Sequence, residues 1–172
     1  RTPYQDPRVT VGPATVVIVA EHKEPLAATL EQGLRLFTVH VRRGYPDVQD
    51  PKLNSHSKLN CITACIQATQ AGADEALMLD PHGFVATCNS THFFIVRRGA
   101  VTTPPAWTGV LRGVTRDIVL ELAAQAGIPA REEPINRYDV YTADEAFLTG
   151  TAAEIAPIRS LDGRQIGAGP IG

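Results

Sequence analysis

Residues Glu75–Thr103 read EALMLDPHGFVATCNSTHFFIVRRGAVTT. Four short runs follow one another here, Glu75–Leu79, Phe84–Ala86, Phe93–Arg97 and Val101–Thr103, with Pro81-His82-Gly83 and Arg98-Gly99 between them. Pro and Gly punctuate strands into hairpins, so the stretch predicts paired antiparallel strands. Hairpins of this kind with segregated helices and few regular βαβ units predict an α+β domain rather than a doubly wound sheet.

Upstream, Ile62, Cys65, Ile66 and Thr69 stand at helical spacing after Lys58, and Gly72 ends the run. Gly44 to His56 is polar with two prolines and predicts a loop, preceded by a strand at Leu36 to Arg42 in which Phe37, Val39 and Val41 alternate with polar residues. Thr15 to Ala20 (TVVIVA) has the composition of a strand buried on both faces. Glu21 to Leu30 breaks that pattern with charge and a proline, as a connection between domains does. Downstream, a helix is expected from about Thr115 to Ala126, with Ile118 and Leu122 facing inward, Gly127 at its end and Pro129 beyond. Strands at Ala130–Glu133 and Glu145–Thr149 bracket a polar helix around Arg137–Thr142.

The 172 residues carry a formal net charge of −2, are 44% hydrophobic and 20% charged, and contain no internal repeat. No large basic field is available for nucleic acid or an anionic membrane, and the apolar runs fall far short of the roughly 20 residues of a membrane helix. A small-molecule partner is expected. Cys61, Cys65 and Cys88 are an odd set without a completing ligand, which predicts buried thiols in a reducing, cytoplasmic setting and no metal. The stretch from Arg1 to Arg8 is rich in Pro and charge and does not resemble a secretory leader; both ends of the chain read as incomplete.

Three places could carry chemistry. Lys58, one of three lysines against thirteen arginines, leads directly into the first apolar helix. There the helix dipole disfavours a cation, and with desolvation its amine would be freed for Schiff-base formation; a solvated loop lysine is the alternative. Gly113, Val114 and Thr115 stand at the N-terminus of the second helix, where free N–H groups and the Thr115 hydroxyl could cradle a phosphate or simply cap the helix. TGTAAE, Thr149–Glu154, offers small residues and the Thr151 hydroxyl at a strand end, either to an anion or to a plain tight turn.

Taken in order, these landmarks resemble the fold-type-IV aminotransferases that depend on pyridoxal phosphate, of the branched-chain kind. DEAFLTGTAAEIAPIRSLDGRQIG (Asp144–Gly167) and GVLRGVTRDIVLELAAQAGI (Gly109–Ile128) are similar to that group, and HGFVATCNSTHFFIV (His82–Val96) falls where its paired central strands lie. The resemblance implies residues 1–21 as a remnant of a small N-terminal domain, 22–33 as the connection and 34–172 as the large cofactor-binding domain, with family segments expected before Arg1 and after Gly172. It implies pyridoxal 5'-phosphate held by Lys58 as a Schiff base, its phosphate met by Gly113, Val114, Thr115 and Thr151, and a substrate carboxylate met by the backbone of Ala152 and Ala153. Lys58 would also shuttle the proton of the reaction.

Thr87 occupies the cofactor-ring position where the family carries a glutamate, and His92 stands where it usually has asparagine. A hydroxyl can donate to a pyridine nitrogen without stabilising a pyridinium charge, so a weakened electron sink is expected. The implied reaction is amino-group transfer between a branched-chain-like amino acid and a 2-oxo acid in a homodimer. The alternatives are an aminodeoxychorismate-lyase-like or D-amino-acid enzyme of the same fold, a non-catalytic homologue serving as a binding module, and a phosphate-binding protein without aldehyde chemistry.

Overall fold

A computed structural model describes residues 6–9, 12–22 and 27–168; residues 23–26, within the expected connection, and both chain ends lie outside the described residues. Helix α1 (Ala27–Gln32) leads into strand β1 (Leu34–Thr38), and the short helix α2 (Pro46–Gln49) interrupts the loop that follows. Next come α3 (Leu59–Gln70), β2 (Glu75–Leu79), β3 (Val85–Cys88), β4 (His92–Arg97) and β5 (Ala100–Thr103). The chain continues through α4 (Val114–Gln125), β6 (Ala130–Glu132), α5 (Arg137–Tyr141), β7 (Glu145–Gly150), β8 (Glu154–Leu161) and β9 (Arg164–Gln165).

The strands form one mixed sheet in the order β3-β2-β1-β8-β7-β4-β5-β6, with β9 paired to β8. β1 runs parallel to β2 and β8, and β5 parallel to β6, whereas β2–β3, β4–β5, β4–β7, β7–β8 and β8–β9 are antiparallel. The turns have local causes. Asp80 accepts from the backbone N–H groups of His82 (2.9 Å) and Phe84 (2.8 Å), folding the Pro81-His82-Gly83 corner between β2 and β3. Arg98 (φ 52°) and Gly99 (φ 74°) are both left-handed, as a two-residue hairpin between β4 and β5 requires.

One face of the sheet buries a continuous core that includes Leu77, Phe93, Ile95, Leu148 and Leu161 together with Val140 and Ala143 from α5 and the residues after it. Ala76 and Met78 alternate with Leu77 and Leu79 and point to the other face, where Ala64 and Ala68 of α3 pack against them and Val39. Phe94 and Phe147 stack on their own face of β4 and β7, with centroids 4.8 Å apart.

Three expectations are corrected. Thr15–Ala20 forms no strand: Val16, Val17, Ile18 and Val19 are 74–88% exposed, because a strand exists only when its backbone pairs with a neighbour, and none of the described strands pairs with it. The inward faces of both long helices also differ from the apolar stripes. Ile62, Ile66, Ile118 and Leu122 are about half exposed, while the buried positions are Ala64 and Ala68 in α3 and Arg116 and Ala123 in α4. In α3 small side chains let the helix backbone approach the sheet closely, and in α4 the buried face is set by the ion-paired Arg116 together with Ala123. Of the three thiols only Cys88 is fully buried; Cys61 and Cys65 are half-buried.

Candidate active site

The N-termini of α3 and α4 open onto one cavity of about 400 Å³, closed by the turn between β3 and β4 and by the end of β7. Lys58, Thr87, Gly113, Val114, Thr115 and Thr151 all line it, so six predicted positions distant in sequence meet in one place. Ala152 and Ala153 sit in the tight β7–β8 turn outside the lining.

Lys58 is the residue immediately before α3, and its Nζ donates to Asn54 Oδ1 at 2.6 Å. The expectation of a desolvated amine is corrected: Lys58 and Leu59 are exposed, because this helix starts at the open side of the cavity. Gly113, the residue immediately before α4, brings no capping side chain, so the N–H groups of the first turn have no partner within the helix, and Gly113, Val114 and Thr115 line the cavity. Such a terminus carries partial positive charge and suits an anion.

Arg43 and Arg112 also line the cavity and were not singled out by sequence. Arg43 is placed by its contacts: Nη1 lies 3.2 Å from Cys61 Sγ, Nη2 donates to the Pro51 carbonyl at 3.0 Å and Nε to the Gly109 carbonyl at 3.2 Å. It fastens the loop after β1 to the first turn of α3 and to the approach to α4. Its position at the end of an alternating strand pattern carries no signal of this role. Among the described residues the lining thus holds Lys58, Arg43 and Arg112 and no aspartate or glutamate. An uncompensated positive cavity of this kind selects anionic ligands.

Thr87 is 5% exposed, and its hydroxyl donates to the Thr91 carbonyl at 2.8 Å. The expected donor role toward a ring nitrogen is therefore corrected: the proton is engaged in closing the β3–β4 turn, and what Thr87 can present to the cavity is a lone pair. Behind that turn, Glu75 accepts from Thr91 Oγ1 (2.7 Å), Ser90 Oγ (3.1 Å) and Ser90 N–H (3.2 Å). Burial raises its pKa above the ordinary carboxylate range, and burial likewise pushes the Cys88 thiol up. His92 is a hydrogen-bonded strand histidine: Nε2 donates to the Leu111 carbonyl at 2.6 Å.

Arg116 is fully buried in the first turn of α4, where it pairs with Glu132 and with Asp117 (3.0 Å) and donates to the Pro104 carbonyl (3.2 Å). Its Nε and the buried Thr149 Oγ1 make no hydrogen bond among the described residues. Nothing in the helix pattern marked Arg116 as an anchor, because long cations are ordinarily exposed.

The mixed α+β sheet thus gathers a primary amine, two guanidinium groups and two helix N-termini around one cavity, an arrangement whose charge suits an anion beside a lysine. The model for amino-transferase class IV matches residues 3–161, and the chain belongs to that family. It is 46% identical over 167 residues to a protein of Methanocaldococcus jannaschii, covering 97% of this chain and 57% of that one. It is 44% identical over 141 residues to the branched-chain-amino-acid aminotransferase of Pseudomonas aeruginosa, covering 81% and 46%. The solved Escherichia coli branched-chain amino acid aminotransferase superposes with a TM-score of 0.84 at 34% identity, over 90% of this chain and 51% of that chain. The branched-chain amino acid aminotransferase from Thermobaculum terrenum, solved in its PLP-form, superposes with a TM-score of 0.79 at 35% identity, over 85% and 48%. The chain spans about half the length of the curated relatives it matches.

Proposed function

We propose that the protein containing this chain transfers amino groups between a branched-chain-like amino acid and a 2-oxo acid, using pyridoxal 5'-phosphate attached through Lys58. The observation that carries this reading is the acid-free cavity in which Lys58, Arg43 and Arg112 meet the uncapped start of α4. The relatives named above support the branched-chain type over the lyase-like and D-amino-acid alternatives, and the PLP-form of one of them supports the choice of pyridoxal phosphate.

When bound, the cofactor supplies an aldehyde for amine exchange and a conjugated ring that accepts electron density from Cα. Val114 and Thr115 bind the phosphate through backbone N–H groups and a hydroxyl, Gly113 lets it approach, and Thr151 adds a second hydroxyl. Lys58 Nζ holds the cofactor and, once displaced, holds and moves the proton of the transfer. The cations Arg43 and Arg112 keep the cavity attractive to phosphate and to substrate carboxylate. Contact of Ala152 and Ala153 with that carboxylate rests on the family resemblance, since both lie just beyond the lining. Thr87 brings no negative charge to the ring, so a modest turnover is part of the proposal. Homodimerisation belongs to it as well, with the half-exposed Ile62, Ile66, Ile118 and Leu122 as apolar surface available to a second chain. The three free cysteines support a reducing, cytoplasmic location.

Visible absorbance of the purified full-length protein with pyridoxal phosphate tests the reading. A band that disappears in Lys58→Ala, with amino transfer falling by about 10²–10⁴-fold, is the expected result. A wild-type protein without such a band defeats the cofactor assignment.

A further inference from the structure

His92 opens β4, opposite Thr149 of β7, and reaches across to the segment that leads into α4. Its Nε2 lies 2.6 Å from the Leu111 carbonyl, which can only accept, so Nε2 carries the proton. The ring also lies against the backbone of Gly113. A Cβ built there would stand 2.3 Å from His92 Cε1, 2.8 Å from Nδ1 and 3.0 Å from Nε2. Gly113 has φ −90° and ψ 143°, a conformation open to any residue, so the glycine is required here for space and not for backbone freedom.

We propose that His92 is a positioning residue for the anion cradle: its ring and Gly113 form a matched pair that sets where the Leu111–Thr115 turn lies, and so where the free N–H groups of α4 point. That the anion is the cofactor phosphate rests on the function proposed above. The ring itself does not contact the anion, for two reasons. Its Nε2 proton is committed to Leu111, and Nδ1 of the neutral ring presents a lone pair, which repels a phosphate. Burial, with Arg116 nearby, holds the imidazole below its usual pKa and so neutral, while the Leu111 and Thr149 backbone contacts and Asp117 act the other way.

A double-mutant cycle in the full-length protein tests the pair, with urea unfolding and the affinities for inorganic phosphate and pyridoxal phosphate as readouts. Gly113→Ala is expected to weaken both ligands at least about tenfold and to lower the unfolding midpoint when His92 is present. In His92→Ala the same change is expected to shift affinity by less than about twofold, because the clash is gone. His92→Gln, which can still donate to Leu111, is expected to restore affinity to within about threefold of wild type. Effects of Gly113→Ala that are equal in the two backgrounds overturn the inference. So does a ring ¹⁵N spectrum of the wild type, which needs no variant to fold, if it places the proton on Nδ1. Pyridoxal phosphate binding by the wild type is measured first; its absence counts against the proposed function, whereas the unfolding cycle and the ring spectrum judge His92 alone.

Discussion

Thr87 spends its one proton on the Thr91 carbonyl and faces the cavity with an oxygen that can accept but carries no charge. Placing a carboxylate there would add a counter-charge for a protonated ring at the cost of one hydrogen bond, about 1 kcal/mol. Thr87→Glu is expected to raise amino-transfer turnover by roughly tenfold while lowering stability by about that hydrogen bond. Steady-state rates of the full-length pair decide it, and a rate that stays level or drops speaks against the electron-sink account. Residues with a chemical signature in the chain, such as Lys58 before an apolar helix or Thr115 at a helix start, were legible without coordinates. Arg43 and Glu75 were not, because their contacts join segments that only the fold brings together.

The β3–β4 hairpin shows how an element is held by a group outside it. Glu75, in β2, anchors the turn by accepting from both Ser90 and Thr91. Its pKa is raised above the ordinary 4.5 by burial, so the folded chain binds more protons than the unfolded chain as pH rises from that value. The contribution of Glu75 is therefore greatest below its unfolded pKa and is lost as pH climbs through its folded one. Glu75→Gln cannot titrate; its unfolding free energy is expected to gain on wild type as pH rises from the ordinary carboxylate range, as measured by urea melts at increasing pH. A difference between the two proteins that does not change with pH contradicts this. The hairpin strands and both long helices were readable from turns and periodicity, whereas β8, β9, α1 and α2 were not, and the strand expected at Leu36 to Arg42 lies at Leu34–Thr38. The buried face of each long helix was not readable: the alanine stripe of α3 is silent in a hydrophobic pattern, and the buried face of α4 includes Arg116, a residue type that is ordinarily exposed.

At the scale of the molecule, β7 and β4 tie the two halves of the sheet together and carry Gly150, Thr151 and His92 to the cavity. Leu148, wholly buried in β7 and paired with Phe93, sits at the centre of that arrangement. Leu148→Ala is expected to cost about 2–5 kcal/mol in urea unfolding; a loss under about 1 kcal/mol would mean the core is not continuous there. The chain by itself determined an α+β fold, its hairpins and three separate stretches fit for a lysine and a phosphate, since these depend on local residue chemistry and spacing. Only the tertiary structure decided that the stretches share one acid-free cavity, that Thr15–Ala20 stays unpaired among the described strands, and that His92 fits against Gly113. Those outcomes arise from which backbones pair and which side chains meet across the sheet, and neither is written in the order of residues along any one element.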